Sequence, residues 1–309
     1  MTESACRPGL RETSCSASRL VMPGKFRDLA RLPLCLKRCY SSELLLKELP
    51  RIALSTNAHV VLDEQMGFYE AVTRRKRPER CMATIGPPFS EGELYVRGDD
   101  KQQFNTFLNW TAQHGQSAHA DLIGLHGGNF CLSTDVKPQP DGRWSDYVQT
   151  VFKPFGIRAS ATVNFPVPFR KGARLGLYYA FFGSEEDVAS RFEFDFISLP
   201  FAIVWLFRFG VIDEDTMRHW LFLLVGLSPG NLFMIRELLA APRYHAQLLP
   251  GRTGLPKRSV EGHFLQFSEI LNEKFPKDAH AGGKGSILFD IAHHYGFLSF
   301  TGRPHFDGN

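Results

Sequence analysis

The side chains able to do chemistry in this sequence are scattered, and their spacing excludes more than it proposes. His126-Gly127-Gly128 has the composition of a loop that could hold an oxyanion, but a glycine turn between two strands is the reading favoured here, because a hydrolase of that design also needs a serine elbow on a strand-to-helix turn. His293 and His294 are adjacent on an expected helix. They point in different directions and make a poor metal pair. The six cysteines, Cys6, Cys15, Cys35, Cys39, Cys81 and Cys131, form no Cys-x-x-Cys pair, and Cys35 and Cys39 lack a histidine at zinc-site spacing. They are expected to be free thiols of a reduced compartment. There is no phosphate-binding loop and no dinucleotide fingerprint. No catalytic residue, metal site or cofactor is therefore expected, and the chain does not read as an enzyme.

Two other groups of residues have spacing that serves binding. Phenylalanine alone contributes 27 of the 309 residues, and Trp110, Trp144, Tyr147, Phe152 and Phe165 stand out in the first half. Such rings line small-molecule cavities or pack as core. The second group lies on Ser259–Lys274, where Val260, Phe264, Phe267 and Leu271 recur at helical intervals, with Glu261, Gln266 and Glu269 on the other side. By spacing alone this is an amphipathic helix packed on its neighbours, with its charges in solvent.

The elements that must position these residues follow from periodicity. A chain of 309 residues, 43% hydrophobic and 22% charged, has enough apolar material for a core without disulfide staples. Its most apolar run, Phe196–Phe207, is shorter than a membrane span, so no membrane role is expected. The net charge of +4 is uneven: residues 1–40 hold eight Lys/Arg against three Asp/Glu, and the remainder holds 28 against 29. Residues 1–40 read as a disordered tail, although Arg38-Cys39-Tyr40-Ser41-Ser42 resembles a presequence processing site.

Leu44–Ile52 reads as a helix, Ala58–Leu62 as a buried strand, and Arg74–Arg77 as a solvated loop. Asp99–His114 is an expected helix, and Ala120–Leu125 and Asn129–Leu132 are short strands. Trp144–Phe155 follows as a helix that Pro154 ends or kinks. Ala159–Val167 and Arg174–Phe182 alternate as an antiparallel hairpin. A long helix is expected from Glu185 to Phe209, kinked at Pro200. After it only helices are expected, over Asp213–Val225, Leu232–Ala241, Ser259–Lys274 and Ser286–Phe300. The expected fold class is α+β: an N-terminal α/β/α sandwich with an antiparallel sheet over residues 41–210, which resembles a sensor sandwich of the GAF or PAS kind, then an all-α domain over 211–309.

The all-α part resembles the helix-turn-helix of LuxR-type transcription regulators. Leu227-Ser228-Pro229 opens the apolar helix Leu232–Ala240, and Gly254-Leu255-Pro256-Lys257-Arg258-Ser259-Val260-Glu261-Gly262-His263 follows, then Lys274-Phe275. The resemblance implies a cytoplasmic, homodimeric regulator that binds double-stranded DNA. It implies that Lys257, Arg258, Ser259, Glu261, His263, Gln266 and Lys274 form the DNA-contacting set, with Arg and Lys on guanine or phosphate and Glu261 accepting from cytosine. The aromatic residues Trp110, Trp144, Tyr147, Phe152 and Phe165 are the candidate lining of a small-molecule site in that first domain, with core packing the favoured alternative for each taken singly. The W-x3-Y pattern and Asp-Pro dipeptide of acyl-homoserine-lactone receptors are absent, so a lactone is not the expected ligand. Asn231 stands where the family has a glutamate. This keeps open an alternative, an interaction or assembly protein whose helix-turn-helix no longer binds DNA.

Overall fold

The computed structural model describes residues 40–86, 93–96, 101–114, 130–133, 140–167, 173–189 and 191–227, together with 256–258, 261, 262, 265 and 269. A π-helical stretch, Glu43–Glu48, runs directly into helix α1, Leu49–Ala53. The expected strand at Ala58–Leu62 is instead the first turn of helix α2, Ala58–Thr73. Two local causes decide this. The Asn57 side chain caps the helix by accepting the His59 N–H at 2.9 Å. Further, Val61, Leu62, Gln65, Met66, Tyr69 and Val72 form one buried stripe at helical spacing. The three apolar residues at 60–62 are too few to separate the two periods on their own.

Strand β1, Arg80–Gly86, and strand β2, Glu93–Val96, follow, in a stretch where no strand was expected. Helix α3 is Lys101–His114 and strand β3 is Phe130–Leu132. The single helix expected over Trp144–Phe155 is broken into three pieces: helix α4, Arg143–Tyr147, a π-helical turn, Val148–Phe152, and a 3-10 turn, Lys153–Phe155. Pro154 sits in the last piece. Gly156 closes it at φ 72°, a conformation that favours glycine, and the Ile157 N–H reaches back to the Phe152 carbonyl.

The hairpin forms as expected from strand β4, Ala159–Pro166, and strand β5, Arg174–Phe181, in a register running from Ala159 opposite Phe181 to Pro166 opposite Arg174. The long helix does not open at Glu185. Ser184 and Asp187 make a reciprocal cap that closes a 3-10 turn, Glu185–Asp187, and Val188 is extended. Helix α5 runs Arg191–Arg208 with Pro200 inside it. Helix α6, Glu214–Leu224, is capped by Asp213, whose carboxylate takes the Thr216 N–H.

The five strands form one antiparallel sheet in the order β2-β1-β5-β4-β3. One face presents Cys81, Ala83 and Ile85 of β1, Ala161, Val163 and Phe165 of β4, and Leu175, Leu177, Tyr179 and Phe181 of β5. These residues share a core with α1, α2, α5 and α6. Helix α5 is buried on almost every side, through Phe194, Ile197, Phe201, Ala202, Ile203, Val204, Trp205 and Leu206. Helix α6 adds Met217, Trp220, Leu221 and Leu224 to the same cluster, and Leu227 closes it. Tyr40, at the other end of the described chain, is also buried there. The calls on Ala120–Leu125, Leu232–Ala241 and Ser286–Phe300 lie outside the described residues. Among those described, no helix is long and apolar enough to cross a membrane.

A polar chain runs through this core. The buried Gln65 donates to the Tyr179 hydroxyl at 2.7 Å and accepts from the Trp205 indole N–H at 3.0 Å. The Tyr179 hydroxyl also meets the Ser198 hydroxyl at 2.9 Å. Burial pushes the Tyr179 ionisation far above the usual tyrosine range, so the phenol stays neutral. Tyr179→Phe should cost about 1–3 kcal/mol of unfolding free energy, because it strands the Gln65 amide in an apolar core. Urea unfolding of the two proteins measures this, and an unchanged midpoint would show that the hydroxyl is dispensable.

Candidate ligand and DNA-contact sites

The opposite face of the sheet carries Arg80, Met82 and Thr84 of β1 and Tyr178 and Ala180 of β5. It is covered by α3 and by the broken helix over 143–155. Trp110, Tyr147, Val151, Phe152, Ile157 and Ala180 form a second buried cluster there, with Phe107, Trp144, Val148, Phe155, Tyr178 and Phe182 packed at its border. Four of the five expected ligand residues are thus brought together. Tyr147 is the hub. Its ring lies 4.9 Å edge-on from Trp110, 5.3 Å edge-on from Phe152 and 5.6 Å stacked on Trp144. The fifth residue, Phe165, is 1% exposed and packs on the other side of the sheet, in the cluster of α2 and α5. Its place in the alternation of β4, with Ala161 and Val163, dictates that side.

Polar groups fix the rim of this ring cluster. The Trp110 indole N–H donates to Asp146 Oδ2 at 2.5 Å, and the His114 ring stacks on Trp110 with centroids 4.2 Å apart. His114 Nε2 lies 3.4 Å from the same Asp146 oxygen. At the base, the buried Gln103 accepts from Arg80 at 2.8 Å and donates to the Tyr178 hydroxyl at 3.2 Å. The Arg80 guanidinium stands 4.9 Å from the centre of the Phe182 ring. Spacing along the chain gave no sign of Asp146, Gln103 or Arg80. Each acts through a partner 23 or more positions away. His114 could have been found, since it follows Trp110 by one helical turn.

Glu79 ties the edge of this cluster to β1. Its carboxylate accepts the Phe182 N–H at 2.9 Å and the Lys76 ammonium at 2.5 Å. Burial alone would raise its pKa, but these two donors together outweigh burial and hold it below the usual glutamate value. A carboxylate depressed in the folded state contributes stability above its unfolded pKa, and that contribution is lost as pH falls through the folded value.

Of the expected DNA-contact residues, Lys257, Arg258 and Glu261 are described. All three are helical and exposed, and Lys257 Nζ lies 3.8 Å from Glu261 Oε1. Leu265 is also helical and is 49% exposed. Ser259, His263, Gln266 and Lys274 lie outside the described residues. So do His126-Gly127-Gly128 and His293-His294. Gly226-Leu227-Ser228-Pro229-Gly230 does have the residue pattern of a serine elbow. However, Gly226 and Leu227 follow the C-terminal end of α6, whereas an elbow needs a strand leading into a helix. Among the described residues, no group of three or more His, Cys, Asp or Glu could hold a metal ion.

This architecture, an antiparallel sheet covered by helices on both faces, belongs to the α+β class. No protein-family model matches the chain, and no curated protein matches it. Several solved chains are similar in outline, two of them structures of SdiA. One is SdiA in complex with octanoyl-rac-glycerol, 12% identical, over 85% of this chain and 97% of that one, with a TM-score of 0.38. The other is Escherichia coli SdiA, 11% identical, over 83% of this chain and 98% of that one, with a TM-score of 0.37. Scores this low carry neither a fold nor a function across to this chain.

The two faces of the sheet predict different mutant behaviour. Phe165→Ala, in the fully buried cluster, should cost about 3–5 kcal/mol. Trp144→Ala, at the half-buried border, should cost less than half of that. Chemical denaturation of both variants checks this, and equal losses would place Trp144 in the structural core. In addition, Glu79→Gln should flatten the acid limb of stability below about pH 4.5 while leaving stability near pH 7 lower than in the parent.

Proposed function

We propose that the chain is a transcription regulator of the LuxR type. Its α/β/α body senses a small molecule or a partner, and its C-terminal helical region binds double-stranded DNA as a homodimer. The observation that supports this most is the motif-like run Gly254–His263 together with the helical, exposed state of Lys257, Arg258 and Glu261 within it. An α-helix fits the major groove, where residues near its N-terminus reach base edges. Arg258 and Lys257 would pair with guanine or phosphate, and Glu261 would accept from cytosine. Ser259, His263, Gln266 and Lys274 would complete the contacts, with His263 and Lys274 on phosphate.

Residues 227–309 hold nine Lys/Arg against seven Asp/Glu, a weak electrostatic footprint for one DNA-binding unit. A dimer doubles it. In the body, the ring cluster around Tyr147 is the candidate ligand wall, with Trp110, Trp144 and Phe152 offering apolar faces and Asp146 a polar rim. Phe165 supports that wall from behind the sheet and does not line it.

A second reading has a specific observation behind it. Leu265 is itself helical and half-exposed, and Asn231 stands where the family has a glutamate. An assembly protein would use such a helix against another protein. Gel shifts at two salt concentrations separate the readings. Arg258→Ala should weaken binding to a selected duplex by about 1–3 kcal/mol and spare random duplexes. Lys274→Ala should weaken both alike and reduce the salt slope. No salt-sensitive binding by the parent at low ionic strength would favour assembly.

A further inference from the structure

Helix α5 contains a defect that another part of the chain repairs. Pro200 has no N–H, so the carbonyl of Phe196, four residues earlier, loses its helical partner. The Tyr40 hydroxyl donates to that carbonyl at 2.5 Å. The Tyr40 ring lies flat on the Phe196 ring, with centroids 4.0 Å apart and planes 6° apart. The residue is 3% exposed. Its backbone is engaged as well: the Tyr40 N–H donates to the Leu227 carbonyl at 3.1 Å, and the Tyr40 carbonyl accepts from the Gly226 N–H at 3.0 Å. Gly226 adopts φ 80° at the point where the chain leaves α6. Three segments far apart in sequence thus meet at one residue: Tyr40 holds the proline turn of α5 through its side chain and the end of α6 through its backbone.

We propose that Tyr40 is a latch that fixes the end of α6 at Gly226 and Leu227. When the latch is closed, the ring and hydroxyl are docked on Phe196, and the paired backbones of Tyr40 and Leu227 hold the exit of α6. When it is open, Gly226 and Leu227 lose their partners on residue 40 and the exit is released. Pro200 offers the Phe196 carbonyl no N–H, so the Tyr40 hydroxyl stands in for the missing helical donor, and the proline is part of the device. If the residues after Leu227 bind DNA as read above, the latch holds the end of α6 to which they are joined. The latch itself does not require that reading.

Hydrogen exchange of the full-length chain, resolved to single amides, tests this. Tyr40→Phe keeps the ring and the backbone pair and removes only the hydroxyl. It should speed exchange of the Gly226 amide by about three- to tenfold, the worth of one hydrogen bond. Tyr40→Ala should speed it further. The amides of Val163 and Leu177 in the sheet should not change in either variant. With Pro200→Ala as background, the N–H restored at position 200 serves the Phe196 carbonyl, and the effect of Tyr40→Phe should shrink. Unchanged exchange at Gly226 in Tyr40→Ala would overturn the latch. So would sheet amides that accelerate in step with Gly226, since Tyr40 would then be ordinary core. An effect of Tyr40→Phe that is equal with and without Pro200 would overturn the proline's part in it. DNA binding is not read in this experiment, so a failed latch and a failed DNA assignment remain separate results.

Discussion

The hydrogen-bonded chain from Trp205 through Gln65 and Tyr179 to Ser198 is fully buried, and it joins α2, β5 and α5 at the centre of the molecule. Leaving one buried donor or acceptor unmade costs more than a made bond returns. The arrangement of these three elements is therefore settled to within hydrogen-bond tolerance. The surrounding apolar side chains supply most of the stability, but they tolerate sliding better than the polar chain does. Tyr69 extends the same constraint outward. Its hydroxyl donates to the Asp187 carbonyl and accepts the Ala189 N–H, pinning the extended link between β5 and α5.

With one face of the sheet held this way, the alternation of β4 and β5 leaves the other face to a separate set of rings. The two clusters share strands and no side chains. Ring substitutions around Tyr147 are thus buffered from the polar chain by the sheet itself, which is a favourable situation for a site that has to accommodate a ligand or a partner. The same separation explains why Phe165 and Phe152, similar in composition and close in sequence, serve different layers.

Much of this was legible in the residues alone. The hairpin was, because Ala159, Ala161, Val163 and Phe165 alternate without interruption. The helix after Asp213 was, because a capping side chain precedes an apolar stripe. Ala58–Leu62 misled, since a short β-branched run fits either period until Gln65, Met66 and Tyr69 are counted with it. β1 and β2 were missed: Cys81, Ala83 and Ile85 do alternate with Arg80, Met82 and Thr84, but Cys81 and Ala83 give only a weak strand signal, and the pairing of β1 with β5 is a long-range fact. In the ring cluster, the aromatics announced themselves by type, whereas Asp146, Gln103 and Arg80 became visible only through partners distant in sequence. Tyr40 was assigned to a tail because nothing adjacent to it is periodic. Its anchor is the carbonyl orphaned by Pro200, 160 positions away.

The central proposal is that the C-terminal region binds double-stranded DNA as a dimer. The most direct test is to incubate the full-length chain with a pool of random duplexes, recover what binds, and sequence it. The account predicts enrichment of a two-fold symmetric sequence with half-sites about one helical turn apart, as two recognition helices of a dimer require. Recovery of no sequence above the starting pool, from protein that is folded by circular dichroism, would contradict it.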